Sequence, residues 1–373
     1  MRPIYLDYNA STPVDPVVAA AMRPFLDEAF GNPSSGHWAS APAKAALDRA
    51  REQVAALLGA APDEIVFTSG GSEANNLAIK GTYFAAKRGR AHIITSTIEH
   101  PAVLAPCRFI ERLGGSVTYL PVDRAGLIEP EDVRRAITPQ TLLISIMHAN
   151  NEVGTVQPLA EIGAIARQHG IRFHTDAAQS VGKIPTRVDE LGVDMLTVAG
   201  HKLYAPKGVG ALYVRRGIEL EPVIHGAGHE SGRRAGTESA LLAVGLGTAC
   251  TIAADLRPMS RIQGLRDRLW EALQGRFGEG VVLNGHPTRR LPNTLNVSFV
   301  GRIGADILDQ LHDVAASTGS ACHSGQIELS PVLAAMRIPA RIGMGAIRFS
   351  LGRCTTSTEI DAVVARLAAI TAV

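Results

Sequence analysis

Lys202 is the residue whose setting most suggests chemistry. It lies in Ala199-Gly200-His201-Lys202-Leu203-Tyr204-Ala205-Pro206-Lys207-Gly208-Val209-Gly210, after the apolar, β-branched stretch 195–198. A lysine at a strand end, flanked by small residues, has room for a planar group, and lysine amines condense with carbonyls to form Schiff bases. An acid able to pair with a cationic ring nitrogen stands 26 positions upstream, Asp176 in Phe173-His174-Thr175-Asp176-Ala177-Ala178-Gln179. A lone lysine is usually a solvated surface residue; what surrounds this one argues otherwise. Ser69-Gly70-Gly71-Ser72-Glu73 follows a strand-like segment and opens a helix-like one. Glycine lets backbone N–H groups approach an anion and a helix start carries partial positive charge, which suits a phosphate. Taken alone, the same five residues read more often as a plain capped turn.

Cys322 is the candidate nucleophile. It sits in Ser317-Thr318-Gly319-Ser320-Ala321-Cys322-His323-Ser324-Gly325, small and polar residues with two glycines. Such a run has no core face and reads as a mobile loop. Exposure beside a histidine favours a reactive thiolate. Cys107, Cys250 and Cys354 lie in more apolar or helical stretches and read as small buried hydrophobes.

The elements that must position these groups alternate. Strands are expected at 65–68, 92–95, 116–119, 142–145, 171–174 and 195–198, with another opening at Gly210, a pattern of repeated βα units around a mostly parallel sheet. Leu159, Ile162, Ile165 and Ala166 fall on one face of a helix over 158–168. The stretch 40–58 reads as a helix capped by Ser40 and ended by Gly59. A break near Leu256-Arg257-Pro258 follows a helical run from Thr237; beyond it come helix, strand (294–300), helix, strand and helix, a smaller α+β domain.

Composition narrows the function classes. The 373 residues are 46% hydrophobic and 19% charged, ordinary for a globular enzyme with an ample core. Thirty-seven Lys and Arg against 35 Asp and Glu give a net charge of +2, so no bulk field points to direct nucleic-acid or anionic-membrane binding. Arg257, Arg261, Arg266 and Arg268 cluster among acidic residues and read as a solvated helix face. No apolar stretch reaches the ~20 residues needed to span a bilayer, and the first residues lack a signal-peptide core. The four cysteines form no CxxC pair, which favours reduced thiols and a cytoplasmic setting. His225 and His229 enclose two glycines, which breaks the helix a metal-binding pair at that spacing needs; no metal site is expected. Gly208-Val209-Gly210 lacks the third glycine of a dinucleotide loop and opens a strand rather than a helix.

In their order, these motifs resemble the cysteine desulfurases, fold-type I pyridoxal-phosphate enzymes related to class V aminotransferases. The resemblance runs almost end to end, from Ile4-Tyr5-Leu6-Asp7-Tyr8-Asn9-Ala10 through Gly31-Asn32-Pro33, residues 68–76, Glu99-His100 and Asn150-Asn151-Glu152-Val153-Gly154. It continues through the Lys202 run, Gly232-Arg233-Arg234-Ala235-Gly236-Thr237 and the Cys322 run to Ala346-Ile347-Arg348-Phe349. It implies an α/β fold: a large pyridoxal-phosphate domain over 12–256, and a small α+β domain from 1–11 and 257–373 that carries the cysteine loop. Lys202 would hold pyridoxal 5'-phosphate, Asp176 would pair with its pyridinium, Gln179 would bond its phenolic oxygen, and His100 would stack on the ring and shuttle protons. Gly71, Ser72 and His201 would hold the phosphate. Thr237 would reach the phosphate of a partner subunit, which requires a homodimer. Asn151 and Arg348 would bind L-cysteine, the planar fork of Arg348 clamping the carboxylate. Cys322 would take the substrate sulfur as a persulfide, release alanine and pass the sulfur to an acceptor protein.

One position departs from the family pattern. Many relatives carry Ser three residues before the lysine, where this chain has Ala199; losing one charge-assisted hydrogen bond costs on the order of 1–3 kcal/mol. Selenocysteine lyase and class V aminotransferase activity are alternatives that the same residues allow, and a cofactor-bound docking scaffold is a third. The Cys322 run argues against the aminotransferase.

Overall fold

The computed structural model describes residues 3–86, 91–318 and 328–371. Its strands in chain order are β1 (Ile4–Tyr5), β2 (Ile65–Thr68), β3 (His92–Ser96), β4 (Ser116–Leu120), β5 (Thr141–Ser145) and β6 (Arg172–Asp176). β7 (Met195–Ala199), β8 (Gly210–Val214), β9 (Val281–Asn284), β10 (Thr294–Phe299), β11 (Val314–Ala315) and β12 (Ala346–Ser350) follow. The six strands expected between 65 and 198 are β2 to β7, each end within two residues.

A seven-stranded sheet runs in the order β2-β8-β7-β6-β5-β3-β4. β8 is antiparallel to both its neighbours, and every other pairing is parallel. β2, β3, β5, β7 and β8 are buried along their whole length, as strands covered by helices on both faces must be. Successive side chains go to opposite faces. Ile65, Phe67, Ala211 and Tyr213 join one apolar cluster, while Val66, Leu212 and Val214 join the other. Gly210 lets β8 lie against β7: a Cβ there would come within 2.5 Å of the Val198 carbonyl oxygen and 2.8 Å of the Gly70 backbone.

β12, β10 and β9 form a separate antiparallel sheet, and β1 pairs in parallel with β11. Their core joins Ile4 and Leu6 to Met259, Ile262, Leu269, Val297, Phe349 and Leu367. Val332, Leu333, Met336 and Ala346 pack into the main cluster instead, so the C-terminal part also reaches across to the large sheet. β1, β9 and β11 went unforeseen: two span only two residues, too few to show a period, and β9 is partly exposed at a sheet edge.

Three local expectations are corrected. The helix Ala41–Leu58 forms, starts after Ser40 and ends at Gly59, but the Ser40 side chain makes no capping bond; its hydroxyl hydrogen is shared between the Ser35 and His37 carbonyls, both at 2.6 Å. Arg266 is buried and donates to the Leu291 carbonyl at 2.8 Å, unlike its exposed neighbours Arg257 and Arg268. Cys354 is exposed, whereas Cys107 and Cys250 are buried, where desolvation pushes both thiols up to about 12. Among the described residues no single helix is long and apolar enough to cross a membrane.

Candidate active site

The C-terminal ends of β2, β6 and β7 open onto a cavity of about 630 Å³. Asn9, Gly71, Ser72, Asn75, His100, Asn151, Asp176, Gln179, His201, Lys202 and Arg348 all face it. Every expected cofactor or substrate residue is therefore brought together except Thr237. That residue is exposed and lines a neighbouring cavity of about 220 Å³, sharing Ser69, Gly208 and Val209 as a wall. Cys322, with His323 and Ser324, lies outside the described residues.

β7 ends at Ala199, and one 3₁₀ turn, Gly200–Lys202, carries the lysine into the cavity. Its Nζ donates to the carbonyl oxygens of Asn9 at 2.6 Å and Ala10 at 2.8 Å. Burial, and then the charge of Arg348, pull its pKa down to about 8 against the opposing pull of Asp7 and Asp176. Desolvation of an ammonium works in this direction, and it leaves the amine far more often neutral, the form that attacks a carbonyl.

Asp176 ends β6, and its carboxylate is held from behind. Oδ1 accepts from the Ala178 N–H at 2.9 Å and Oδ2 from Asn75 Nδ2 at 2.6 Å. Asn75 is a functional residue that sequence reasoning passed over. It lies in the helix Gly71–Phe84 and is buried with Ala74, Ala78 and Ile79. A buried amide among apolar helix positions signals a polar partner. His100 begins the helix Pro101–Arg112, its Nδ1 accepting from the Ala102 N–H at 3.1 Å. That bond places the ring hydrogen on Nε2, toward the cavity. Although the imidazole is open to the cavity, desolvation and then Lys202 hold its pKa below the usual value against Asp176. Gln179 donates from Nε2 to the Asn9 carbonyl at 2.9 Å.

At the phosphate end, Gly70 adopts φ +151° as the chain turns into the helix, a conformation open to glycine. The Ser69 N–H is held by Glu73 at 2.8 Å, and Glu73 pairs with Arg234. His201 Nδ1 is buried without a hydrogen-bond partner among the described residues. Burial and then the neighbouring Lys202 hold that imidazole at a pKa of about 4, so it stays neutral. Ala199 faces Gly71: a Cβ on the glycine would lie 3.2 Å from the alanine Cβ.

Arg348 projects from β12 and is buried. Its Nη2 donates to Asp7 Oδ1 at 2.7 Å and its Nη1 to the Asn151 carbonyl at 2.9 Å, while Nε has no partner among the described residues. The expected clamp is thus already oriented by Asp7. Asn9 is the hub of the site, its amide bonding Thr294, Asn293 and the Asn151 carbonyl. Asp7 and Asn9 were visible in the sequence only as parts of a motif.

A neutral-prone amine, an anchored carboxylate, a glycine-opened helix start and an orphaned buried imidazole nitrogen together fit pyridoxal phosphate. Set at the ends of parallel strands, they define a pyridoxal-phosphate enzyme of fold type I. The model of the family "Aminotransferase class-V" matches residues 4–363. The chain is similar to the cysteine desulfurase IscS of Dictyoglomus turgidum, 49% identical over 365 residues that cover 96% of this chain and 92% of that protein. It superimposes on a NifS-like protein with a TM-score of 0.93 at 36% identity, covering 99% of each chain. A structure of SspA in complex with cysteine gives a TM-score of 0.85 at 41% identity, covering 95% of this chain and all of that one. The chain belongs to the cysteine desulfurase branch of the class V aminotransferase family.

Proposed function

We propose that this chain is a pyridoxal-phosphate-dependent cysteine desulfurase that converts L-cysteine to L-alanine and passes the sulfur, as a persulfide on Cys322, to an acceptor protein. The meeting of Lys202, Asp176, His100 and Arg348 in one cavity carries this reading. When bound, pyridoxal phosphate supplies an electron sink for negative charge at the substrate α-carbon. Lys202 anchors it through Nζ, Asp176 pairs with its ring nitrogen, Gln179 donates to its phenolic oxygen and His100 covers the ring. Gly71, Ser72 and His201 receive the phosphate, with Thr237 serving the site of a second copy in a homodimer.

Arg348 and Asn151 orient the substrate by its carboxylate, and His100 exchanges protons at Nε2. In the net reaction the substrate C–S bond breaks and an S–S bond forms to the Cys322 sulfur. The carbon gains a hydrogen and is reduced to the alanine methyl group, while the Cys322 thiol is oxidised to the persulfide. Working thiols of this kind fit a reducing, cytoplasmic setting. The division into 12–256 and 1–11 with 257–373 belongs to the same reading, supported by the separate core that Ile4 and Leu6 share with residues from Met259 onward.

Lys202→Ala tests the site directly. Purified with added pyridoxal phosphate, it should lose the visible absorbance of lysine-linked cofactor that the wild type displays. Retention of that absorbance would exclude Lys202 as the anchor.

A further inference from the structure

We propose that Lys183 is a positioning residue that fixes Gln179 as a hydrogen-bond donor to the bound cofactor, an inference that rests on the cofactor-site reading above. Lys183 is buried at the end of the turn that begins beside Gln179. Its Nζ donates to two oxygens of that one residue, the backbone carbonyl at 2.9 Å and Oε1 at 3.0 Å. Both acceptors are neutral, so the amine does not balance a carboxylate through them. Burying an amine without a counter-charge is costly, and burial followed by the charges of Lys202 and Arg348 lowers its pKa to about 7. Charged or neutral, the amine keeps enough hydrogens for both oxygens.

The bond matters because a glutamine amide has two ends. Oε1 faces Lys183, while Nε2 faces the Asn9 carbonyl at 2.9 Å. Turned over, the amide would set oxygen against oxygen at Asn9 and, with the amine charged, N–H against N–H at Lys183, replacing two bonds by two repulsions. The Asn9 oxygen also accepts from Lys202 Nζ at 2.6 Å, so the hydrogen-bonded chain runs from Lys183 through Gln179 and Asn9 to Lys202. Nε2 carries two hydrogens and uses one on Asn9. The other is left for an acceptor in the cavity that Gln179 lines. Without Lys183, only the Asn9 carbonyl opposes an amide whose oxygen takes that place and repels the cofactor oxygen.

Lys183→Met keeps the side-chain length and removes the donor. Folded apo-protein of this variant should bind pyridoxal phosphate about tenfold more weakly than wild type, the scale of one buried hydrogen bond, with a shifted visible absorbance. Gln179→Leu should lose a similar factor, and the double variant should bind no more weakly than Gln179→Leu alone, since residues acting through one contact are not additive. Wild-type affinity and absorbance in Lys183→Met would overturn the proposal. So would losses that multiply in the double variant, because these would make Lys183 merely structural. If Lys183→Met is not recovered folded, Lys183→Arg decides, because it keeps a donor at this position. Affinity within about threefold of wild type supports the proposal, and an about tenfold loss at an unchanged melting temperature contradicts it. A wild-type chain that takes up no pyridoxal phosphate would instead overturn the cofactor-site reading and the inference with it.

Discussion

Lys202 and Arg348 carry opposite tasks in one cavity, and the structure sets each by its neighbours. The Lys202 amine stands at about 8 because it is buried near another cation, so its neutral fraction grows tenfold per pH unit below that value and then levels. Capture of pyridoxal phosphate by the apo-protein should therefore rise up to about pH 8 and flatten, whereas an ordinary lysine would keep gaining toward about pH 10. Stopped-flow absorbance across that range checks it, and a rate still climbing at high pH would contradict the lowered value. For Arg348, the Asp7 carboxylate and the Asn151 carbonyl hold both terminal nitrogens. Arg348→Gln should keep bound cofactor but raise KM for L-cysteine by about tenfold to a hundredfold, the scale of a charge-assisted bond. Steady-state kinetics separates this from a fall in kcat alone.

Between residue and fold stand the strand ends, and here sequence and structure differ most usefully. The strands that lead to Asp176 and Lys202 were legible because runs such as 195–198 are apolar, β-branched and followed by small residues. The groups behind them were not. Asn75, Asn9 and Lys183 act through hydrogen bonds to residues 101, 170 and 4 positions away, and neither long-range pairing nor the burial of a lysine has a local signature. Glu99 is another such group. It is buried, its Oε1 accepting from Ser96 and from the Met147 N–H, both at 2.8 Å, so it ties the end of β3 to the segment after β5. Desolvation raises its pKa from 4.5 to about 8, and the Asp176 charge adds to this. The folded chain therefore holds a proton that the unfolded chain releases, a contribution complete below about 4.5 and lost as pH rises through about 8. Glu99→Gln escapes that loss. Its stability relative to wild type should improve between about pH 5 and pH 8 by on the order of 3 kcal/mol, read from thermal melts. A flat or falling difference would mean that Glu99 is ionised in the native state.

For the whole molecule, the surface holds the remaining evidence. Trp38 is 87% exposed and Phe30 76%, with Leu26 and Val17 also open in the same N-terminal stretch. Large apolar side chains this fully exposed are candidates for cover by a partner. Together with Thr237, which stands outside the main cavity, they support a homodimer in which each copy completes the other's phosphate site. Sedimentation should give twice the 39.4 kDa chain mass, and Trp38→Asp should shift the population toward monomer; a wild-type monomer with full activity would contradict this arrangement. The reaction proposed for this chain is the transfer of the L-cysteine sulfur to Cys322. It is tested most directly by quantifying alanine and protein-bound persulfide from L-cysteine under reducing conditions, with wild type beside Cys322→Ala. Both products are expected from the wild type, and from the variant a sharp loss of both with cofactor still bound. Equal alanine and equal sulfur delivery from the two proteins, or no alanine from a cofactor-loaded wild type, would contradict it.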